Sequence, residues 1–255
     1  MSNGNDWWKP EKLEAIEKQI RAMGDSTKLD VSNDFGSYRK VLLTGEIKDS
    51  LLGQHNDLNP LIKIRAVNKL IKDKKPENIL DSGCGMGFTT AALADFYTNA
   101  NVLGVDVSND AIEYATQKHI QAKFLSQAIS PDSEKLGTFD LIYCFEFYPF
   151  TRNSDYEVQS QFINYFSQQL SQKGEIVIYQ IWENPLSLSS VIEKVIERLP
   201  HLKFSLHTIP NPRLSRYLPS PLAMGCGMLL EKVLRRNVSR TVVLIELRND
   251  RSPSQ

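Results

Sequence analysis

Between residues 59 and 200, short apolar runs alternate with longer stretches whose apolar positions recur every three or four residues. The short runs predict strands at about 78–81, 101–106, 122–126, 139–144 and 175–181. The longer stretches predict helices. Leu61, Ile64, Val67 and Ile71 form one stripe behind an Asn59-Pro60 start, with Asn as the cap and Pro in the first helical position. A second helix runs from Gly87 to about Tyr97, and a third is capped by Ser108 and runs to about Lys118. A fourth covers about 155–170, with Val158, Phe162, Phe166 and Leu170 on one face. A fifth covers about 186–199 and carries Leu188, Val191, Ile192, Val195 and Ile196. Strands and helices in alternation, broken only between the runs at 122–126 and 139–144, predict an α/β fold, a doubly wound parallel sheet with helices on both faces.

The pattern changes at both ends. Residues 10–23 read as an amphipathic helix, with Leu13, Ile16, Ile20 and Met23 on one face. Residues 24–58 are polar and glycine-containing, so 1–58 is expected to form an N-terminal helical cap on a domain spanning 59–248. After residue 200, positions 201–208 alternate apolar and polar, and 240–247 form another apolar run, which predicts two more strands. The link between them, 209–238, contains Pro210, Pro212, Pro219 and Pro221 before an apolar, helix-like run at 222–233. A connection this long is expected to act as a lid-like insertion. Residues 249–255 read as a tail.

Composition narrows the function classes. The 255 residues carry 30 basic and 30 acidic side chains, which argues against a broad electrostatic footprint for nucleic acid. The three cysteines, Cys84, Cys144 and Cys226, are widely spaced, with neither a disulfide framework nor metal-ligand spacing. No metal site is expected, and a reducing, cytoplasmic location fits. No signal peptide is read at the N-terminus, and no apolar stretch reaches the ~18 residues that suggest a membrane span.

The candidate chemistry lies at the end of the first strand, in Ile79-Leu80-Asp81-Ser82-Gly83-Cys84-Gly85-Met86-Gly87-Phe88. Glycines at every second position let a backbone approach a ligand with no Cβ in the way. The helix start that follows offers free N–H groups. A second strand, Val102-Leu103-Gly104-Val105-Asp106, also ends in an acid. Strand, glycine loop, helix and acid-terminated strand together suit a nucleoside.

These segments resemble the class I, Rossmann-like S-adenosylmethionine-dependent methyltransferases. Asp81-x-Gly83-x-Gly85-x-Gly87 is similar to the family's first motif, and Asp106 stands where the family keeps its ribose-gripping acid. Phe139-Asp140-Leu141-Ile142-Tyr143-Cys144 resembles its fourth strand, and residues 170–178 its next turn and fifth strand. The resemblance covers about 60–182. NAD enzymes have a similar loop, but there the spacing is Gly-x-Gly-x-x-Gly and a glycine or small residue usually stands where Asp81 is.

The resemblance implies a seven-stranded sheet, parallel except for an antiparallel strand seven beside strand five. It implies S-adenosylmethionine as cofactor, held by Asp81, Gly83, Cys84, Gly85, Gly87, Asp106, Val107, Gln127, Ala128 and Phe145. Asp81 would meet the ammonium, Asp106 the two ribose hydroxyls and Val107 the adenine face. Gln127 departs from the family's usual acid near the adenine amino group. The methyl acceptor is expected to be a small organic molecule, methylated at oxygen or nitrogen by in-line transfer, with His55 and Glu146 as candidate catalytic residues. Tyr38 and Arg39 would reach the methionine carboxylate. Arg213, Arg216 and Tyr217 in the link suit an acidic acceptor, and the link's exposed face suits a homodimer contact or a lipid-like substrate. The aromatics Phe145, Phe147 and Phe150 either line an acceptor pocket or pack the loop onto the core. His119 reads as a cation capping a helix C-terminus. A protein or RNA acceptor, a non-catalytic binding subunit and an NAD oxidoreductase remain as alternatives.

Overall fold

The computed structural model describes residues 58–72, 74–151, 155–180, 188–209, 222 and 240–248. The proposed N-terminal cap up to residue 57, most of the 209–238 link and the tail from 249 lie outside them. So do His55, Tyr38, Arg39, Arg213, Arg216, Tyr217 and Cys226.

In chain order the elements are α1 (Leu58–Leu70), β1 (Asn78–Ser82), α2 (Phe88–Phe96), β2 (Asn101–Asp106), α3 (Asn109–Lys118) and β3 (Lys123–Ser126). Then come β4 (Phe139–Phe145), α4 (Tyr148–Thr151), α5 (Tyr156–Ser167) and β5 (Leu170–Gln180). A 3₁₀ turn (Leu188–Ser190), α6 (Ile192–Arg198), β6 (Leu202–Ile209) and β7 (Arg240–Leu247) complete them. The seven strands form one sheet in the order β3-β2-β1-β4-β5-β7-β6. All pairings from β3 to β5 are parallel, and β7 runs antiparallel to both β5 and β6.

Side chains alternate across the strands, so the central apolar runs feed two cores. On one face, Ile79, Leu141, Tyr143 and Val177 pack with Ile64 and Val67 of α1 and Leu93 of α2. On the other, Leu80, Ile142, Cys144, Ile176 and Ile178 pack with Phe162 and Phe166 of α5 and Val195 of α6. A Tyr97 hydroxyl that donates to Asn68 Oδ1 at 2.9 Å ties α2 to α1 on the first face. The alternation of 201–208 is only half used. Leu202 at one end of β6 is buried, while Leu206 toward the other is 48% exposed, as an edge strand allows.

Three element boundaries differ from the expectations. Helix α1 already includes Leu58, so Asn59 lies within its first turn rather than ahead of it; Pro60 still falls where an N–H would have no helical acceptor. The helix expected over 155–170 ends at Ser167, and Leu170 instead opens β5 opposite Phe139. Buried Gln169 enforces the change: its backbone carbonyl accepts from Phe139 N at 2.8 Å and its side-chain Oε1 from Leu136 N at 2.7 Å. The stretch at 186–199 is broken, with a 3₁₀ turn through Ser189 and Ser190 before α6. Serine competes for backbone hydrogen bonds and favours such turns.

Between Leu170 and Glu175 the fifth strand loops out while β4 advances only from Phe139 to Leu141. Gly174 makes this possible, since a Cβ there would stand 2.8 Å from the Phe139 carbonyl oxygen. Asp140 pins the same corner. Its Oδ2 accepts from the N–H groups of Glu77 (2.9 Å) and Asn78 (3.1 Å), and its Oδ1 from Ser171 Oγ (2.7 Å). Partial burial would raise this carboxyl's pKa, but those three donors and the nearby Lys74 charge outweigh it and hold it below the usual carboxylate range.

Candidate functional site at the carboxyl end of the sheet

The glycine loop leaves β1 at the carboxyl edge of the parallel strands, where such sheets bind ligands. Gly83 and Cys84 both donate to the Val105 carbonyl, at 2.8 and 3.1 Å, which stitches the loop to β2. Gly83, Gly85 and Gly87 all have positive φ (73°, 52° and 79°), a region costly for any residue with a Cβ.

The three glycines serve different ends. At Gly83 a Cβ would strike the Phe147 ring at 2.9 Å. At Gly87, the N-cap of α2, it would strike Phe124 and Ala115 at 2.7 and 2.8 Å. At Gly85 it would meet no atom of the described residues within 4 Å. Gly83 and Gly87 are therefore needed for packing, while Gly85 faces space, among the described residues, that a ligand can fill.

Asp106 closes the loop from the second strand. Its Oδ2 accepts from Gly85 N and its Oδ1 from Ser108 N, both at 2.9 Å. Each carboxylate oxygen accepts more than one hydrogen bond, so these contacts leave it competent to take hydroxyls as well. Ser108 caps α3 by accepting from Ala111 N, as its position predicts. Val107 beside it is half-buried. Gln127 donates its backbone N–H to the Asp106 carbonyl at 2.9 Å, and Ala128 follows it; both are half-buried on the same rim.

Asp81 lies deeper. It is 1% exposed, pairs in register with Gly104 of β2, and accepts the Thr90 hydroxyl on Oδ2 at 2.7 Å. Burial pushes its pKa up to about 7; the Thr90 hydrogen bond pulls it down and the Asp106 charge adds to the rise. Cys84 is also buried, and burial pushes its thiol well above the usual range, so it stays a protonated thiol.

Past β4, Glu146 has φ 56°, in the left-handed region, and its N–H reaches the Tyr179 carbonyl at 3.2 Å. Backbone held in that region clusters at functional sites. Phe145 is 7% exposed and its ring lies 5.0 Å from those of both Tyr143 and Tyr179. Phe147 and Phe150 join Phe162 and Phe166 in the core, with centroids 5.7 to 6.4 Å apart. Of the two readings for these aromatics, the one in which they pack the loop fits these positions. His119 does stand at the C-terminal end of α3, where it is buried, its ring centroid 5.2 Å from that of Phe88 in an edge contact.

Thr90, bonded to Asp81, and Phe124, against Gly87, are contacts of the loop that pattern reading missed. Phe147, named there only as a pocket or packing aromatic, meets the loop at Gly83. An open cleft of about 360 Å³, lined by Ser189, Ser190, Leu206, His207, Thr208 and Thr241, lies at β6 and β7, away from the glycine loop in the strand order. Among the described residues no cluster of His, Cys, Asp or Glu could hold a metal ion, and no helix is long and apolar enough to cross a membrane.

A family model described as a methyltransferase domain matches residues 73–211, more than half of the chain. The chain belongs to this methyltransferase-domain family. The plantazolicin methyltransferase BpumL in complex with SAH has a similar structure over 92% of this chain and 100% of that one, with 18% identity and a TM-score of 0.56. At that identity the likeness is one of fold. In sequence, the mitochondrial ubiquinone biosynthesis O-methyltransferase of Saccharomyces cerevisiae is 35% identical over 79 residues, 29% of this chain and 25% of that protein. The malonyl-[acyl-carrier protein] O-methyltransferase of Legionella pneumophila is 36% identical over 72 residues, 27% of this chain and 25% of that protein. The chain thus aligns with about a quarter of the length of each of these two relatives.

Proposed function

We propose that this chain transfers a methyl group from S-adenosylmethionine to a small organic acceptor, at oxygen or nitrogen. The observation that carries the reading is the open space over Gly85 beside the Asp106 carboxylate, at the carboxyl end of β1. Bound there, S-adenosylmethionine supplies a methyl group already activated by its sulfonium.

The chain's own part is to bind and orient. The backbone from Gly83 to Gly87 passes under the nucleoside and methionine parts. Asp106 accepts from the ribose hydroxyls in charge-assisted hydrogen bonds. Val107, Gln127 and Ala128 border the adenine, Asp81 attracts the ammonium from below, and Cys84 and Phe145 back the loop. Alignment of acceptor and methyl group supplies most of the rate, so a base is needed only for a protonated acceptor. Glu146, at the mouth of β4, and His55 are the groups proposed for that task. Residues 1–58 and 209–238 would cover the acceptor, with the latter offering a homodimer surface. The buried free thiols Cys84 and Cys144 are in keeping with a reducing, cytoplasmic setting.

The names of the yeast and Legionella relatives favour oxygen over nitrogen as the acceptor atom. The Legionella name also supports a second reading, an acceptor carried on a protein. Calorimetry with S-adenosylmethionine and S-adenosylhomocysteine tests the first step, and micromolar binding of both is expected. No binding by the wild type sinks the proposal. A methyl-label transfer screen across metabolite pools, peptides and RNA then separates the acceptor classes. Label found only in protein would favour the second reading.

A further inference from the structure

Thr90, in the first turn of α2, has no exposed surface, yet its hydroxyl points at a carboxylate rather than at its own helix. Asp81 and Gly104 are register partners on parallel strands, so their Cβ positions face the same side. A Cβ on Gly104 would lie 2.7 Å from Thr90 Oγ1 and 3.0 Å from Cys84 Sγ. The missing side chain at 104 is what lets the Thr90 hydroxyl reach over β2 to Asp81. Three residues on three elements thus build one buried contact beneath the glycine loop. A hydroxyl confined to a carboxylate acceptor fixes that carboxylate's rotamer and favours its ionised form.

We infer that Thr90 is a positioning residue for cofactor binding: through its 2.7 Å hydrogen bond it orients the Asp81 carboxyl and eases its ionisation when the cationic end of the bound nucleoside arrives. The inference rests on the proposed function for its ligand, and on the Asp81–Thr90–Gly104 geometry for its residue.

The titratable groups that face Asp81 among the described residues are Asp106 across the loop, Cys84 within it, and Tyr143 and Cys144 on β4. The thiols and the Tyr143 phenol are kept protonated by burial, and none of these groups is a cation. A cationic ligand would therefore be the first positive charge brought to this carboxyl within that set. Since the Asp81 pKa is raised to about 7, binding near or below that pH draws the proton off its carboxyl and delivers it to solvent.

The experiment is calorimetric titration of S-adenosylmethionine at several pH values, in buffers of differing ionisation enthalpy, which counts protons released on binding. Wild type should release most of one proton near pH 6 and close to none by about pH 9. Thr90→Val keeps the shape but removes the donor. It should bind roughly 10-fold more weakly at pH 7 and continue releasing a proton to higher pH. Thr90→Ser restores the hydroxyl and should lie within about 2-fold of wild type. Equal affinity and an equal proton-release midpoint in Thr90→Val overturn the inference, as does Thr90→Ser behaving like Thr90→Val. Should Thr90→Val fail to fold, carboxyl NMR of Asp81 in ligand-free wild type and Thr90→Ala decides: a higher midpoint in Thr90→Ala supports the inference, and an equal midpoint overturns it. A wild type that binds no S-adenosylmethionine overturns the proposed function along with this inference; binding unaffected by Thr90→Val overturns this inference alone.

Discussion

Asp81 and Asp140 belong to neighbouring strands of one sheet, and their carboxyls are treated in opposite ways. Asp140, at the amino end of β4, receives three hydrogen bonds and is held below the usual carboxylate range despite partial burial. Asp81, at the carboxyl end of β1, is almost sealed from water with Thr90 as its donor and is pushed up to about 7. What separates them is the number of donors set against the cost of desolvation. Asp140 has its charge fully used inside the protein, locking Ser171 and the entry to β1. Asp81 has a charge that the fold leaves under-compensated, at the end of the sheet where a cationic ligand is proposed. Two acids that look alike in the chain are thus a structural clamp and a candidate binding group.

The strongest way to break this contrast is Asp81→Asn. A folded-state pKa raised above the unfolded value means the folded protein binds more protons between about pH 4 and pH 7. Stability from that term is present at low pH and lost as pH rises through about 7. The amide should avoid the loss, so urea unfolding at pH 8 should show the variant more stable by on the order of 3 kcal/mol, with the gain gone near pH 4. Its affinity for S-adenosylmethionine should fall in the same samples. A variant less stable than wild type at pH 8 would mean that Asp81 is a clamp after all.

Asp140→Ala should do the reverse. Losing about 2 kcal/mol is expected, allowing for water reaching the freed Glu77 N–H, with cofactor affinity unchanged. The sign of its pH dependence is also opposite. A depressed folded pKa stabilises above the unfolded value and is lost as pH falls, so wild type and variant should converge below about pH 4.

Gly85→Ala sharpens the contrast at the loop itself. With φ 52° and open space around the added methyl, it should cost only about 1 kcal/mol of stability while reducing cofactor binding by far more than that strain explains. Binding and unfolding measured together would show the split; equal losses in both would place Gly85 with the packing glycines. The smallest effect is expected for Lys203→Ala. It breaks a 3.1 Å pair with Glu246 in which Lys203 is 66% exposed, so under ~0.5 kcal/mol should be lost, and less still in high salt.

Much of this architecture could be read from the chain alone. Strand β2 and strand β7 begin and end where their apolar runs do, and Ser108 caps α3 as its place before the helical pattern indicates. The antiparallel β7 beside β5 follows from the family resemblance rather than from periodicity. Leu170 was misplaced because its spacing continues the stripe of α5, and only the ladder with Phe139 and the bonds of Gln169 decide that it starts β5. Phe145, Phe147 and Phe150 were ambiguous because an aromatic at a pocket and an aromatic in a core have the same local sequence. The ring contacts across α4, α5 and β5 distinguish them.

The Gly-x-Gly-x-Gly spacing and the acids ending β1 and β2 were legible for a simple reason. Positive φ without a Cβ and a charge at a strand end are local properties, written in consecutive residues. The donors received by each acid are not. Whether Asp81 or Asp140 meets Ser171, Thr90 or a backbone N–H depends on strand order and register, which bring residues nine to sixty-three positions apart into contact. Tertiary structure therefore decided which carboxylate is satisfied, which glycine faces open space, and that a threonine on α2 reaches under the loop. The chain alone had specified the loop.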